Sequence, residues 1–390
     1  MLLRALTFGL GLLVVFGLFW VMWPSAIQPA YWDEPQPPAL TGALARNTAL
    51  DAARQYRIGE PGTAVGLVLA PDGSVYFGTH DGHIHRFLPG RPENPVQEIA
   101  RITDAPIFGL AWAGDGMLAI ASLNGLYGLD LVNGSVDRLS TGVPAHPFGY
   151  VNDLTVGPDG TIFFTDSSAR WQMMNEDSRY FREMLENRPT GSIYAWNPHM
   201  EQTILLRDRL YYPNGITLAP DGQSLLIAET FRHRIVRLQL TGPRAGDLDV
   251  LAENLPGYPD SLTLDPQGRL VISMLTTRDP ALRLLHRHPA LAELYTKLPS
   301  WLRPNLGSAD GFLLVMNPRT GTVLETLYSG DSRFCLLSDA EFGPANSVWL
   351  GSVNCGYIAR LPGWNTDLET HPNNPENLSL PNGVDSDFPG

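Results

Sequence analysis

Along this chain of 390 residues, one pattern of apolar and polar positions recurs: an apolar run, a tight turn and a second apolar run. The turn residue is, in chain order, Gly73, Gly116, Gly160, Gly222, Gly268 and Asn346. Gly and Asn tolerate the positive φ that such turns require, and the flanking Val, Ile, Leu and Phe suit half-buried strands. The pattern therefore predicts six strand pairs in register.

The spacing of the turns indicates how these strand pairs are assembled. Three gaps are 43 to 46 residues long, and a period of roughly 40–50 residues is typical of a β-propeller blade. The two longer gaps predict insertions, at residues 171–189 and 281–304. The alternative is a β-sandwich or several small β domains, but six turns in register favour an all-β, six-bladed β-propeller over residues 59–362.

One position in the repeat carries candidate chemistry. Eight residues before each turn stand Val65, Phe108, Asn152, Asn214, Asp260 and Ser338. If the blades are equivalent, these side chains face one central axis, where the three middle blades supply oxygen donors. Amide and carboxylate oxygens suit Ca²⁺ better than zinc. The structural alternative is that Asn and Asp before a strand only bond to the backbone of a turn.

No cluster of His and Cys competes with this set for a metal. His80, His83 and His85 alternate within one short region and are interpreted as residues on a hairpin. Cys335 and Cys355 are the only cysteines, and the sequence is compatible both with a disulfide and with two buried thiols.

The N-terminus has a separate character. Arg4 precedes residues 5–23, which carry no charge and are long enough to cross a hydrocarbon core of roughly 30 Å. We interpret residues 1–24 as a single-pass signal anchor with a transmembrane helix, the N-terminus cytoplasmic and the propeller extracytoplasmic. A cleaved signal peptide is the alternative. Residues 25–58 are expected to be a linker and residues 363–390 a loose tail.

Composition narrows the class of partner. The chain has 40 Asp and Glu against 27 Lys and Arg, a net charge of −13. Because binding to phosphate backbones needs a basic face, this balance argues against nucleic acid as a partner.

Several motifs around these positions resemble one protein family. They are Val-Asn152-Asp-Leu with Phe-Thr-Asp-Ser-Ser, Tyr-Pro-Asn214-Gly-Ile with Ala-Glu-Thr, and Gly-Tyr-Pro-Asp260. From about residue 59 to 361, the chain resembles the strictosidine synthase-like family in its adipocyte plasma membrane-associated branch, within a group that includes the gluconolactonase/regucalcin proteins and the paraoxonases. The resemblance implies a six-bladed propeller with Ca²⁺ in a central tunnel, held by Asn152, Asn214 and Asp260.

The chain also departs from the family pattern at three positions. The family places a Glu at or beside Val65, and here only Glu60 lies near, as a weaker candidate metal ligand. Paraoxonases place a catalytic His where this chain has Phe108, and strictosidine synthase places its catalytic Glu near Ser338. Both of those chemistries are therefore disfavoured.

The resulting expectation is a calcium-dependent hydrolase of lactones or activated aryl esters. Asp260 would be both a metal ligand and the general base for water. Val65, Phe108, Ser338 and Tyr212, with Tyr211 beside it, are candidate pocket residues. The alternative is a membrane-tethered propeller that acts as a non-enzymatic binding or scaffold protein with a structural calcium. The insertion at 281–304 is expected either to contact the bilayer, to cover the tunnel, or to pack on the propeller rim.

Overall fold

The computed structural model describes residues 17, 23–59, 62–91, 95–114, 116–144, 146–171, 176–303, 310–343 and 346–364. Within these ranges the chain forms six four-stranded antiparallel sheets and one two-stranded hairpin. The sheets follow one another along the chain, and each is a blade of a six-bladed β-propeller. The fold predicted from the turn spacing is confirmed.

The first three blades contain strands β2 to β15. Blade 1 consists of β2 (Val65–Leu69), β3 (Val75–Gly78), β4 (His83–Phe87) and β5 (Val96–Arg101). Blade 2 consists of β6 (Ile107–Gly114), β7 (Met117–Ser122), β8 (Gly125–Asp130) and β9 (Val136–Ser140). The small hairpin follows, with β10 (Gly142–Val143) and β11 (His146–Pro147). Blade 3 consists of β12 (Val151–Val156), β13 (Ile162–Asp166), β14 (Gly191–Asn197) and β15 (Gln202–Leu210).

The last three blades complete the ring. Blade 4 consists of β16 (Pro213–Leu218), β17 (Ser224–Glu229), β18 (Arg234–Gln239) and β19 (Leu248–Ala252). Blade 5 consists of β20 (Gly257–Leu264), β21 (Leu270–Thr277), β22 (Phe312–Met316) and β23 (Val323–Leu327). Blade 6 consists of β24 (Leu337–Gly343), β25 (Ser347–Ser352), β26 (Tyr357–Leu361) and the N-terminal strand β1 (Arg54–Arg57).

Blade 6 therefore joins the two ends of the array. Strand β1 pairs antiparallel with β26, from Arg54 opposite Arg360 to Arg57 opposite Tyr357. Residues 54–57 lie in the stretch expected to be a linker, but they supply the outermost strand of the last blade. Their side chains alternate without a strong apolar pattern, which explains why the sequence did not identify the strand.

The repeated turns behave as the sequence predicted. Their φ angles are 81° at Gly73, 75° at Gly116, 81° at Gly160, 66° at Gly222, 74° at Gly268 and 52° at Asn346. We call the end of the propeller that carries these turns the turn face. The opposite end, where each blade connects its second strand to its third and the chain passes to the next blade, is the loop face. The first strand of every blade starts at the loop face.

Hydrophobic cores lie between neighbouring blades. Leu67 and Phe77 of blade 1 pack with Trp349 of blade 6, whereas Val68 packs with Leu110 of blade 2. Successive residues of the first strand thus contact opposite neighbours, because side chains alternate between the faces of a sheet. This packing closes the ring around a central axis.

Both insertions predicted from the long gaps form helices at the loop face. The first is α1 (Glu176–Glu186), between β13 and β14. The second gives α2 (Pro280–Arg287) and α3 (Pro289–Lys297), between β21 and β22. Shorter helical turns are Gly42–Leu44, Ala49–Ala52, Thr230–Arg232, Gly242–Arg244 and Ser300–Leu302. The insertion at 281–304 packs on the rim through Leu282, Leu285, Ala292 and Tyr295, which are buried.

Residues 25–36, the N-terminal strap, are docked on the loop face. Ile27 is 1% exposed within the cluster that contains the buried residues of α2 and α3. The amide of Ala30 donates to the carbonyl of Glu186 at 2.9 Å, and that of Trp32 to the carbonyl of His286 at 3.0 Å. Part of the expected linker is thus an integral part of the propeller surface.

A buried ionic cluster fixes the strap. Glu34 is 1% exposed, and its carboxylate lies 2.7 Å from Arg278 Nη2, 2.8 Å from His286 Nδ1 and 3.2 Å from His233 Nε2. Burial alone would raise the pKa of Glu34, but hydrogen bonds and charges from the two imidazoles lower it well below its ordinary value. A buried carboxylate with this set of partners ties the strap to blades 4 and 5 and to α2.

The cysteines and the N-terminal apolar segment give different outcomes. Cys335 and Cys355 form a disulfide across the loop face, with 6.4 Å between their Cα atoms. This decides between the two readings that the sequence left open. The expected transmembrane helix falls almost entirely outside the described residues, as does the expected tail from 365 onward. The tail was predicted to begin at residue 363, but Trp364 is 4% exposed and packs in a core cluster with residues of blade 6. Among the residues that are described, no helix has the length and apolar character needed to cross a membrane.

Candidate functional site

The propeller axis contains a cavity of about 690 Å³ at the end where the first strands start. All six side chains at the repeated position line it: Val65, Phe108, Asn152, Asn214, Asp260 and Ser338. Tyr212 lines it as well. The sequence register therefore places all six repeated positions on one cavity, although their roles are a separate matter.

The two asparagines are held by the same device in consecutive blades. Asn152 Nδ2 donates to Ser167 Oγ at 2.8 Å, and that hydroxyl donates to the carbonyl of Pro213 at 2.7 Å. Asn214 Nδ2 donates to Thr230 Oγ1 at 3.2 Å. Each side-chain amide is thus held in place by a hydroxyl of its own blade.

The hydroxyl bond to the next blade also recurs one blade further along. Thr230 Oγ1 donates to the carbonyl of Pro259 at 2.7 Å, as Ser167 does to Pro213. Each hydroxyl thus links its own blade to the start of the next, directly before Asn214 or Asp260. The hydroxyls that accept from the amides thus also set the register between blades 3, 4 and 5.

The Thr-Asp-Ser-Ser motif at the end of β13 is explained residue by residue. Thr165 Oγ1 donates to the carbonyl of Asn214 at 2.8 Å. The carboxylate of Asp166 accepts from the amides of Gly149 and Tyr150 at 2.9 and 2.6 Å. Ser168 Oγ donates to Glu183 of α1 at 2.7 Å. The motif therefore organises the cavity wall.

Asp260 lies among other acidic groups rather than beside a basic one. Burial, reinforced by the charges of Asp153 and Asp339, raises its pKa well above the ordinary value, although a hydrogen bond with the Asn214 side chain opposes this. No Lys or Arg belongs to the described residues that line the cavity. A positive charge beside this carboxylate would favour its ionised form.

Sequence reasoning missed three acidic residues of this region. Burial and the charge of Asp339 raise the pKa of Asp153 to about 7. Burial likewise raises the pKa of Asp339 to about 6 and, with the charge of Asp339, that of Glu341 to about 8. Asp153 accepts from the amide of Ile216 at 3.1 Å, and Asp339 from the amide of Leu67 at 2.6 Å. Both aspartates therefore connect neighbouring blades.

A signal for these aspartates was present in the repeat. The position after the repeated one reads Gly66, Gly109, Asp153, Gly215, Ser261 and Asp339. The glycines are required by close packing on the axis: a Cβ at Gly109 would lie 2.8 Å from Asp153 Oδ1, and one at Gly66 would lie 2.6 Å from the amide nitrogen of Leu110. Two carboxylates among residues this small mark an unusual position.

The other side of the cavity wall is aromatic and aliphatic. Phe108 stacks on Tyr150 with 4.8 Å between ring centroids, and Tyr150 lies 5.8 Å from Tyr212. Tyr180 of α1 meets Tyr212 edge-on at 5.8 Å. Leu275 also lines the cavity. The cavity thus combines a polar part, where blades 3 to 5 start, with an apolar part suited to a hydrophobic group.

The remaining candidates from the sequence have different locations. His80 lines the cavity and lies 5.4 Å from the Phe108 ring, whereas His83 and His85 lie on β4 as expected. Tyr211 is not among the lining residues and instead contacts the Arg232 guanidinium, 3.7 Å from its ring centroid. Glu60 lies outside the described residues.

The donor set fits a hard cation in its chemistry. Two amide oxygens and one carboxylate are typical calcium ligands, and a cation would offset the repulsion that Asp260 experiences from Asp153 and Asp339. Within the part of the chain that the structure describes, no group of three or more His, Cys, Asp or Glu side chains is arranged to hold a metal. Any cation here would depend on the amides of Asn152 and Asn214.

Comparison with known proteins gives two matching family models. The SMP-30/gluconolactonase/LRE-like region matches residues 66–283, and the strictosidine synthase-like N-terminal model matches residues 42–87. The adipocyte plasma membrane-associated protein of Danio rerio is 29% identical over 370 residues, 90% of this chain and 86% of that protein. The human protein of that name is 30% identical over 86% of this chain and 84% of its own length.

A plant protein matches a shorter part. Strictosidine synthase-like 13 of Arabidopsis thaliana is 32% identical over 242 residues, 60% of this chain, and the match spans 56% of that protein. Among solved structures, a gluconolactonase of Xanthomonas campestris aligns with a TM-score of 0.56 at 18% identity, over 87% of this chain and 99% of its own. A calcium-binding regucalcin of Agrobacterium tumefaciens aligns with a TM-score of 0.54 at 16% identity, over 78% and 92%. These likenesses establish the fold.

Proposed function

Because the chain belongs to the SMP-30/gluconolactonase/LRE-like family, in its strictosidine synthase-like and adipocyte plasma membrane-associated branch, we propose that it is a membrane-anchored, calcium-dependent hydrolase of lactones or activated aryl esters. One observation carries the proposal. The side chains of Asn152, Asn214 and Asp260 converge on a cavity whose described lining residues include no Lys or Arg.

Asn152, Asn214 and Asp260 would hold the cation. A bound Ca²⁺ would polarise the substrate carbonyl and stabilise negative charge on its oxygen. The hydroxyls of Ser167 and Thr230 hold the two amides in place. This preorganisation avoids the cost of turning the amides when substrate binds.

Asp260 is the proposed general base. Its carboxylate takes a proton from a water molecule as the water oxygen attacks the carbonyl carbon. The bond from the carbonyl carbon to the alkoxy or aryloxy oxygen then breaks, and the leaving oxygen receives the proton from Asp260. A lactone gives a hydroxy acid, and an aryl ester gives a carboxylic acid and a phenol.

The apolar part of the cavity would bind the rest of the substrate. Phe108, Tyr150 and Tyr212 present aromatic surface beside the polar part, and Val65 and Ser338 complete the ring of repeated positions. Aromatic surface of this kind accommodates an aryl or alkyl group and excludes water from it.

The cellular placement is also part of the proposal. We infer that residues 1–24 anchor the protein as a single-pass segment, with the propeller on the extracytoplasmic side and a C-terminal tail beyond residue 364. The uncharged run at residues 5–23, the names of the animal relatives and the Cys335–Cys355 disulfide support this placement.

The proposal is tested by hydrolysis of a panel of lactones and aryl acetates by the full-length protein, with and without a calcium chelator. We expect turnover that the chelator abolishes and added Ca²⁺ restores. Hydrolysis that is indifferent to the chelator would remove calcium from the proposal.

A second function is favoured by the three repeated positions that carry neither Asn nor Asp. Val65, Phe108 and Ser338 occupy the positions of the family's first-blade Glu and of the catalytic His and Glu of its better-known branches. If Ca²⁺ raises the melting temperature but no ester or lactone in the panel is hydrolysed, the protein is a membrane-tethered binding or scaffold propeller with a structural calcium.

A further inference from the structure

We propose that the helical cap, formed by α2, α3 and the turn Ser300–Leu302, docks on a lipid bilayer and holds the loop face against it. The inference deepens the proposed function, because it presupposes the membrane anchor. It adds a second membrane-contacting element and gives the cavity an orientation.

Exposed hydrophobic side chains are distributed unequally between the two faces. At the loop face, in the cap and the residues preceding the propeller, they are Trp23 (58% exposed), Tyr31 (66%), Leu284 (51%), Leu291 (43%), Trp301 (79%) and Leu302 (50%). Elsewhere in the described chain they are Ile99, Val132, Val136, Met200, Ile204 and Val250, on outermost strands or at the turn face. All the exposed aromatic residues of this kind are thus at the loop face, and Trp and Tyr favour membrane interfaces.

These side chains are additional to the ones that attach the cap to the propeller. Leu282 and Leu285 of α2 are buried in the cluster with the strap, whereas Leu284, between them, is half exposed. On α3, Ala292 is buried and Leu291 is exposed. The cap therefore has one apolar side facing the propeller and further apolar groups facing away from it.

The path of the chain identifies the occupant as a membrane. Ser25 Oγ lies 3.5 Å from Thr296 Oγ1 of α3, and Ile27 is buried among the cap residues. The uncharged residues 5–23 therefore join the folded protein directly beside the cap. A segment that crosses the bilayer and ends here brings the cap to the membrane surface.

The charge of the cap is consistent with lipid headgroups. Residues 280–303 contain four Lys or Arg and one Glu, in a chain with a net charge of −13. A locally basic segment with exposed Trp and Leu is attracted to anionic headgroups while its apolar groups enter the interface. Since α1, which supplies Tyr180 to the cavity wall, lies at the same face, the cavity would face the lipid.

The test uses the full-length protein in phosphatidylcholine vesicles, with and without phosphatidylglycerol. A cysteine is introduced by Leu302→Cys, by Leu284→Cys or, as the control at the turn face, by Val132→Cys, which replaces a side chain that is 86% exposed. Each is labelled with an environment-sensitive fluorophore while the native disulfide stays oxidised. Iodide quenches labels in water, and nitroxide lipids quench labels at the bilayer surface.

The labels at 302 and 284 are expected to emit at shorter wavelength in vesicles and to be quenched by nitroxide lipids, more strongly with phosphatidylglycerol. The label at 132 should respond to iodide alone. If 302 and 284 behave like 132, the cap faces water and the proposal is wrong. If they are shielded from iodide without nitroxide quenching, a protein surface covers the cap, which also overturns it.

Failure of the protein to float with the vesicles would overturn both the anchor and the docked cap. Chelator-sensitive hydrolysis in the same preparation reports on the cavity alone. The failure of this inference and the failure of the proposed catalysis are therefore distinguishable.

Discussion

Two carboxylates of this protein, those of Glu34 and Asp260, have opposite surroundings. Glu34 in the strap is surrounded by Arg278, His286 and His233, and its pKa is lowered. Asp260 in the cavity is surrounded by acidic groups, and its pKa is raised. The first cluster contains its own cationic partners, whereas the described residues that line the second include no Lys or Arg.

The difference separates a structural role from a functional one. A buried carboxylate that already has its cationic partners is compensated within the fold, and the loss of one partner would be destabilising. A buried carboxylate beside Asp153 and Asp339 is costly unless a cation joins it. Since the side-chain amides of Asn152 and Asn214 line the same cavity, we propose Ca²⁺ as that cation.

The largest expected effect is on catalysis at Asp260. Asp260→Ala removes both the charged ligand and the proposed base, so kcat/KM for a lactone or aryl ester should fall by about 10³-fold. Asp221→Ala is the matched control, since Asp221 lies in a repeated turn at the opposite face and should leave turnover unchanged. Equal rates for the wild type and Asp260→Ala would remove Asp260 from the mechanism.

A loss of stability is expected instead at Glu34. Glu34→Gln leaves Arg278 buried without its charged partner, and the free energy of unfolding should fall by about 3–5 kcal/mol. Asp33→Asn, which removes the exposed pair with Arg287, should cost less than about 1 kcal/mol. Urea denaturation in chelator measures both, and Asp260→Asn should show no such loss. If Asp260→Asn lowers the free energy of unfolding as much as Glu34→Gln does, the contrast between the two carboxylates is wrong.

The strap cluster also predicts a pH dependence. Burial lowers the pKa of His233 to about 4, and the charges of Arg278 and His286 act in the same direction. The nearby Glu34 opposes this shift. Between pH 6.5 and 4 the unfolded chain therefore binds more protons at this residue, and stability falls as the pH falls, by about 3 kcal/mol. Below that range, protonation of Glu34, whose pKa is lowered, removes further stability.

The pH prediction is checked by unfolding curves across this range for the wild type and His233→Asn. Asn is chosen because residue 233 has a φ of 52°, which Asn tolerates. The variant should lose most of the slope between pH 6.5 and 4. An unchanged slope would assign the pH dependence to other groups.

The smallest expected effect is on calcium affinity when negative charge is added to the cavity. Val65→Glu replaces an apolar side chain that lines the cavity with a second carboxylate at the repeated position. Calcium affinity should rise about tenfold because a further charged ligand is available, while stability without calcium should fall. A calcium titration measures the change, and unaltered affinity would show that residue 65 does not reach the cation.

The sequence predicted the architecture, and the meeting of the candidate site residues at one cavity, for an identifiable reason. The six turns impose positive φ at a fixed register, and that register carries Asn152, Asn214 and Asp260 to one axis. The devices that orient the amides, Ser167 and Thr230, lie fifteen and sixteen residues further along, so no local pattern linked them to Asn152 and Asn214.

Long-range pairings account for what the sequence did not show. Strand β1 pairs with β26 across about three hundred residues of chain, and Glu34 finds its partners in blades 4 and 5 and in α2. Neither segment has an apolar period of its own. Asp153 and Asp339 were visible in the repeat, but only the structure shows their bonds to the next blade.

The most direct test of the missing charge is a calorimetric Ca²⁺ titration of the full-length protein and of Asp260→Asn. We predict one calcium site per chain in the wild type, with a Kd of about 10⁻⁴ M, and no heat of binding in Asp260→Asn. Equal binding by the two proteins, or no binding by the wild type, would contradict the assignment of a calcium site to Asn152, Asn214 and Asp260.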